Sequence, residues 1–208
     1  MSTEQTVQTP EGVARLWIDD APGARLRLVL GHGAGGGIAA RDLAALADRL
    51  PEQGITVVRV EQPYRVAGKR LPPRPPVLDR AWAAVLEAVP RDLPVVVGGR
   101  SSGARVACRT AQAVGAAAVV ALSFPLHPPG KPERSRLPEL LDAGVPTLVV
   151  QGERDTFGRP DEFPDGPFSL RTVAHADHGL SVPKAHSQAA ATESVVAAVR
   201  EFIEPLLG

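Results

Sequence analysis

A serine stands where a buried strand is predicted to turn abruptly into a helix. The segment "VVVGGRSSGARVA" (95–107) runs from three valines through two glycines into small residues at helical spacing. Gly99, Ser101 and Gly103 form a G-x-S-x-G pattern, in which a strained turn exposes the serine hydroxyl above a sheet. The helix N-terminus behind it favours a developing anion. Because glycine and serine are common in turns, a purely structural turn is the alternative; Ser102 does not fit the spacing.

A serine is a weak nucleophile unless a base takes its proton and a third group orients that base. Asp155 lies just beyond the predicted strand that ends in "LVVQGER", and His178 lies in "VAHADHGL" ahead of the last helical segment. The chain order serine, acid, histidine is typical of a nucleophile on a strand-to-helix turn. We therefore predict Ser101 as nucleophile, Asp155 as acid and His178 as base.

Other titratable residues in these two loops fit the roles less well. Asp161 and Asp165 lie in a loop rich in proline and glycine, and we expect them to face solvent. Asp177 is adjacent to His178 in the chain, and adjacent side chains seldom point at each other. His175 lies close to the end of a predicted strand, and we expect it to pack there.

The glycine-rich segment "HGAGGG" (32–37) is predicted to supply backbone donors. A tetrahedral oxyanion needs two of them. One is expected from the N–H of Ser102, and the second from the loop after an earlier strand. We predict Ala34, with Gly35 as the neighbouring alternative, and we expect His32 to buttress the loop.

The same loop also fits a dinucleotide-binding pattern. Gly31, Gly33 and Gly36 give G-x-G-x-x-G after a predicted strand, and Glu61 ends the next strand where a ribose-binding acid belongs. A dinucleotide-dependent oxidoreductase would leave the serine, aspartate and histidine unexplained, and the chain shows no separate substrate domain. We therefore predict a site with no cofactor and no metal.

Apolar strand-like segments alternate with helix-like segments along the chain. Predicted strands cover 25–33, 55–62, 93–99, 116–123, 145–152 and 168–174. Predicted helices cover 41–54, 77–89, 103–115, 137–144 and a final segment through Leu206. This alternation predicts a doubly wound α/β fold with a mostly parallel sheet and helices on both faces. In such a fold the ligand site lies at the carboxyl ends of the strands.

The ends of the chain extend this prediction. The segment "GVARLWID" (12–19) is expected to add an antiparallel edge strand, and 1–11 to form a loosely ordered N-terminus. We predict a single domain over 1–208.

Composition restricts the class of partner. Of 208 residues, 23 are Lys or Arg and 23 are Asp or Glu, so the formal net charge is zero. The chain therefore lacks the positive charge that would indicate nucleic acid or an anionic membrane as partner. Cys108 is the single cysteine, which suits a reducing compartment. The N-terminal residues lack the features of a signal peptide, and no apolar run reaches membrane-spanning length. We expect a cytoplasmic protein that is not bound to a membrane, and the alanine and arginine content suggests a bacterial genome.

Several segments together resemble an α/β-hydrolase without a cap domain. The resemblance rests on "LGHGAGGG", "EQPYRVAGKRLPPRPPVLDRAW", "VGGRSSGARVA" and "SFPLHPPGKPERSR", and continues through "GERDTFG" and "ADHGL". More narrowly, the chain resembles the small family of testis-expressed protein 30 and the hydrolase-like domain of subunit 3 of the nonspecific lethal complex. The resemblance implies the same roles for Ser101, Asp155 and His178. Dienelactone hydrolases, which are also similar, use cysteine where Ser101 stands, so their substrate is not carried over.

Two proline-rich segments, 63–76 and 125–136, are predicted to edge an open cleft. Within them His127 and Lys131 are candidate substrate-binding residues, with loop scaffolding or solvated charge as the alternative. Arg100, next to the nucleophile, is expected either to pair with Glu61 or to bind an anionic substrate.

The sequence therefore predicts a serine hydrolase acting on a small ester or thioester through an acyl-enzyme. One alternative is a non-catalytic protein-interaction module on a hydrolase scaffold, a role that some relatives have. A prolyl-type peptidase is less favoured, because no cap or propeller would select peptides.

Overall fold

One eight-stranded sheet organises the protein. The computed structural model describes residues 2–207. The strands are β1 (Thr3–Thr9), β2 (Gly12–Asp19), β3 (Leu26–Gly31), β4 (Ile55–Glu61), β5 (Val95–Arg100), β6 (Ala118–Leu122), β7 (Thr147–Gly152) and β8 (Ser169–Val173). Their order in the sheet is β1-β2-β4-β3-β5-β6-β7-β8. The pairs β1–β2 and β2–β4 are antiparallel, and the remaining pairs are parallel.

Helices cover both faces of this sheet. They are α1 (Arg41–Arg49), α2 (Pro63–Val66), α3 (Pro75–Ala88), α4 (Ser102–Thr110), α5 (Leu137–Leu141) and α6 (Gln188–Ile203). Neighbouring residues of one strand enter different cores: Val97 packs with α3, α4 and α5, whereas Val96 packs with α1 and α6. The central strands therefore bury apolar residues on both faces, as in parallel sheets covered on both sides. The predicted doubly wound α/β fold is confirmed.

The N-terminal segment differs from the prediction. Residues 3–9 form β1, a strand in full register with β2, rather than a loosely ordered arm. Gly12, at φ 111°, allows the tight turn between the two strands. Because β1 is the edge strand, β2 lies inside the sheet between β1 and β4. Only Val7 of β1 is buried, so the apolar pattern that would have indicated a strand is weak.

Two further segments differ in secondary structure from the prediction. The predicted loop 63–76 contains the short helix α2, begun by Pro63, whose fixed φ suits a first helical turn. Helix α4 ends at Thr110, and the rest of the predicted helix to Gly115 is formed by turns. Within residues 2–207, no helix is both long and apolar enough to cross a membrane.

Candidate active site

Ser101 lies on a sharp turn between β5 and α4. Its backbone has φ 53° and ψ −109°, a strained conformation for a residue with a side chain. The turn is possible because two glycines permit close packing. A Cβ added to Gly103 would lie 2.3 Å from the carbonyl oxygen of Gly31, and one added to Gly99 would lie 2.4 Å from the same oxygen. The strain and the close approach together hold the serine hydroxyl outward.

His178 links this hydroxyl to a buried carboxylate. The Nε2 atom of His178 lies 3.0 Å from Oγ of Ser101, and its Nδ1 atom lies 2.8 Å from Oδ2 of Asp155. Since a carboxylate only accepts, Nδ1 carries the proton and Nε2 is free to accept from the serine hydroxyl. The three predicted residues, which are far apart in the chain, thus form one hydrogen-bonded line.

The surroundings of Asp155 fix its orientation. Its side chain is wholly buried. The Nε2 group of Gln151 donates to Oδ2 at 2.8 Å, and the backbone N–H of Phe157 donates to Oδ1 at 2.8 Å. The ring of Phe157 also stacks on the imidazole of His178, with centroids 4.2 Å apart. Gln151 and Phe157 were not predicted from the sequence, although Phe157 stands only two residues after the acid.

The glycine-rich loop is held from below by His32. The backbone N–H of Gln62 donates to Nε2 of His32 at 3.1 Å, so Nδ1 must carry the proton, which it donates to the carbonyl of Gly33 at 2.8 Å. Burial lowers the pKa of His32, which keeps the ring neutral. The hydroxyl of Tyr64 donates to the next carbonyl, that of Ala34, at 3.0 Å. His32 therefore buttresses the loop, as expected.

Arg100 does not pair with Glu61, the partner proposed from the sequence. Its Nε atom lies 3.2 Å from Oδ2 of Asp42, at the start of α1, and its Nη2 group donates to the carbonyl of His178 at 2.8 Å. Glu61 instead faces Arg15, 4.0 Å away on β2. Burial raises the pKa of Asp42 although Arg100 opposes the shift. Arg100 thus connects the loop that carries His178 to α1.

A cleft of about 560 Å³ opens in front of Ser101. Both predicted edges contribute to it, 63–76 through Pro72, Pro73 and Pro75, and 125–136 through Pro125 and Arg136. Its other lining residues are Gly33, Ala34, Gly35, Gly36, Leu78, Arg100, Ser101, Ser102, Arg105, Phe157 and His178. Ala34 and Ser102, the predicted oxyanion donors, therefore line the same cleft as Ser101, the predicted nucleophile.

His127 and Lys131 lie outside this cleft. Both ring nitrogens of His127 are engaged, Nδ1 with the carbonyl of Pro128 and Nε2 with the carboxylate of Glu162, each at 2.9 Å. Lys131 is exposed and lines no part of the cleft. The structure thus gives His127 a scaffolding position, the alternative considered for it, and Arg136 occupies the cleft instead.

The remaining residues of interest form no hydrogen bond with Ser101, Asp155 or the ring of His178. His175, which we expected to pack near the strand end, stacks on His186 with centroids 3.7 Å apart and stays half exposed. Asp177 accepts hydrogen bonds from the backbone N–H groups of Gly179 and Ser181 and shapes its own loop. Cys108 is buried on α4, and burial raises the pKa of its thiol to about 12.

Comparison with known proteins identifies the family of the chain. Residues 24–204 match the family described as "Alpha/beta hydrolase domain". The chain belongs to that family. No curated protein matches the sequence.

Solved structures share the fold at low sequence identity. XC6422 from Xanthomonas campestris, described as a serine hydrolase without a lid, is 22% identical with a TM-score of 0.74, covering 97% of this chain and 94% of that one. A dienelactone hydrolase from Anabaena variabilis is 17% identical with a TM-score of 0.76, covering 100% and 99%. Est1E from Butyrivibrio proteoclasticus, solved with ferulic acid, is 16% identical with a TM-score of 0.75, covering 96% and 99%. At these identities the likeness establishes the fold alone.

Proposed function

We propose that the protein is a serine hydrolase that cleaves a small ester or thioester through an acyl-enzyme. The observation that carries the proposal is the continuous hydrogen-bonded line from Ser101 through His178 to the buried Asp155. A strained serine at a strand-to-helix turn adds to it, because such strain persists only where the surroundings enforce it. One structural neighbour is described as a serine hydrolase, which is the class of enzyme proposed here.

In the first half-reaction Oγ of Ser101 attacks the substrate carbonyl carbon. Nε2 of His178 takes the hydroxyl proton as the new C–O bond forms, and the carbonyl π electrons move to oxygen. Asp155 holds the resulting imidazolium through its bond to Nδ1. Collapse of the tetrahedral intermediate breaks the bond to the leaving alkoxide or thiolate, which receives the proton from His178.

The oxyanion is stabilised by the backbone N–H groups of Ala34 and Ser102. The carbonyl of Gly33 is fixed by His32 and by the N–H of Gly36, at 2.8 and 3.2 Å. In a trans peptide unit the N–H points opposite to the C=O, so fixing the Gly33 carbonyl also fixes the direction of the Ala34 N–H. Donors fixed in advance cost no reorganisation during the reaction.

In the second half-reaction water replaces the leaving group. His178 removes a proton from water as its oxygen attacks the acyl carbon, and the acyl–Oγ bond then breaks with return of the proton to Ser101. The products are a carboxylic acid and the regenerated enzyme. The steps need no group beyond the residues named and water.

Within the wider family, we infer that the chain belongs with testis-expressed protein 30 and the hydrolase-like domain of nonspecific lethal complex subunit 3. The segment "PLHPPGKP" supports this placement, because a general hydrolase has no need of it. Some of those relatives are scaffold components, so a non-catalytic interaction module is the competing function. An assembled Ser101, His178 and Asp155 favours catalysis, because a module without chemistry gains nothing from that alignment.

The decisive test is intact-protein mass after exposure to a fluorophosphonate. The parent is expected to gain one adduct, and Ser101→Ala and His178→Ala are expected to gain none. Ser102→Ala is the matched control, because it removes the neighbouring hydroxyl and keeps the backbone N–H, so it should still be labelled. A folded parent that gains no adduct would overturn the hydrolase proposal and favour the interaction module.

A further inference from the structure

The cleft contains three arginines, two of which are balanced by carboxylates. Arg100, Arg105 and Arg136 line it, and none of its described lining residues is acidic. Arg100 lies 3.2 Å from the carboxylate of Asp42. Arg105 makes two hydrogen bonds to Glu139, one through Nε and one through Nη2. Arg136 is the third arginine of the cleft.

Glu139 cannot balance Arg136 as well, because a second arginine already shares it. Arg109 donates to Glu139 at 2.9 Å and also pairs with Asp79. Arg105, Arg109 and Arg136 thus bring three positive charges to a cluster with two carboxylates. Among residues 2–207, no carboxylate lies within salt-bridge distance of Arg136. Arg136 is therefore the arginine of this cluster that forms no ion pair with those residues.

Arg136 is also held in place. Its backbone N–H donates to the carbonyl of Leu126 at 2.7 Å, and its Nη1 group donates to the carbonyl of Pro125 at 3.1 Å. Burial, and next the charge of Arg105, lower the pKa of the Arg136 guanidinium, although the charge of Glu139 opposes the shift. A guanidinium still stays protonated in proteins, so this half-buried cation is poorly solvated, and it forms no direct ion pair with any carboxylate of residues 2–207. Such a group binds an anion at little cost in side-chain entropy.

We propose that Arg136 is the anion-binding residue of the cleft, and that the substrate is an ester or thioester carrying a carboxylate. The proposal rests on the hydrolase function proposed above and adds the substrate class. A guanidinium binds a carboxylate through two parallel hydrogen bonds, with geometric specificity that an ammonium lacks. A cleft of about 560 Å³ suits a small molecule that reaches both Ser101 and Arg136.

The experiment uses two pairs of esters, and the members of each pair differ only in whether a remote carboxylate is free or methylated. In the first pair the anion is on the acyl side: the 4-methylumbelliferyl monoester of adipic acid against its methyl ester. In the second pair it is on the leaving group: 4-butyryloxybenzoate against its methyl ester. The quantity measured is the ratio of kcat/KM, anionic over neutral, for the parent, Arg136→Gln and Arg136→Lys. Arg134→Gln is the matched control, because Arg134 is exposed and lines no part of the cleft.

In one of the two pairs the parent is expected to favour the anionic ester by about tenfold, the effect of one charged hydrogen-bonded contact. The pair that shows the preference tells which side of the scissile bond carries the carboxylate. Arg136→Gln should bring the ratio close to one, Arg136→Lys should keep part of it, and Arg134→Gln should keep all of it. Because both rates come from one preparation, partial unfolding does not change the ratio.

Two results would overturn this proposal. One is a parent that hydrolyses neither anionic ester faster than its neutral partner, zero rates included; the other is an unchanged ratio in Arg136→Gln. If Ser101 still forms the fluorophosphonate adduct, only the anion subsite fails. If that adduct is also absent, the hydrolase function fails with it.

Discussion

The ion pair between Arg100 and Asp42 gives a prediction about stability that can be worked out from the structure. The two side chains are 17% and 2% exposed, and the atoms Nε and Oδ2 lie 3.2 Å apart. Breaking a buried pair from one side leaves an uncompensated charge and costs about 3–5 kcal/mol, whereas replacing both partners is often close to neutral. We expect Arg100→Met to lose stability in that range.

A double-mutant cycle isolates the pair. Asp42→Asn should cost less than Arg100→Met, because the guanidinium is the more exposed partner. The double variant should recover most of the loss, to within about 1 kcal/mol of the parent, giving a coupling free energy of about 2 kcal/mol or more. The measurement is urea unfolding of all four proteins at neutral pH, with the slopes compared to check that the unfolding transition is unchanged.

The pH dependence of Arg100→Met has a defined sign. Burial raises the folded-state pKa of Asp42 above its ordinary value of 3.8, and removing Arg100 raises it further. A carboxyl group whose pKa is raised by folding favours the folded state at pH values below its unfolded-state pKa. That contribution is lost as the pH rises through its folded-state pKa. The difference in free energy of unfolding between the parent and Arg100→Met should therefore increase from about pH 4 to neutrality. A difference that is constant over this range, or single effects that simply add, would refute the reasoning.

Three further predictions concern other parts of the molecule. Gly103→Ala places its Cβ 2.3 Å from a backbone oxygen and should cost at least about 3 kcal/mol by urea unfolding, whereas Gly37→Ala, with nothing within 4 Å, should stay within about 1 kcal/mol of the parent; equal effects would contradict the close-packing argument. The bonds to the Pro128 carbonyl and Glu162 raise the pKa of His127 above 6.5, and the pKa of Glu162 is lowered below 4.5, so the pair stabilises most between those values and the stabilisation is lost as His127 deprotonates. His127→Gln should therefore destabilise the fold more at about pH 5.5 than at about pH 8.5, and the opposite order would reject the pairing. Cys108, with its thiol pKa near 12, should resist iodoacetamide in the folded protein and react in urea, as followed by intact mass; rapid labelling of the folded chain would show that the thiol is accessible.

The positions of the three proposed catalytic residues could be predicted because they depend on strand order. Ser101, Asp155 and His178 follow β5, β7 and β8, and a parallel sheet brings the carboxyl ends of its strands to one edge. Their chain order and the turn chemistry around the serine are local features. The fold class follows from the alternation of apolar strands and helices in the same way.

The partner of Arg100 could not be predicted by the same reasoning. Strand order places Glu61, at the end of β4, near the site edge, but a strand end does not determine which way a side chain turns. Its carboxylate turns across the antiparallel pair towards Arg15 on β2. The carboxylate that reaches Arg100 comes from the first turn of α1, and its approach depends on how that helix packs over the sheet.

The buried acid shows how such unpredicted contacts give the site its chemistry. Asp155 accepts from Gln151, from the backbone of Phe157 and from His178, so its two oxygens are bound from three directions in a place that water does not reach. An acid fixed in this way leaves His178 only one arrangement, with the proton on Nδ1 and the lone pair of Nε2 towards the serine hydroxyl. The Phe157 ring, stacked on the imidazole, opposes its rotation. The loop after β7 therefore does more than supply a carboxylate: its own fold sets the tautomer and the angle of the His178 ring.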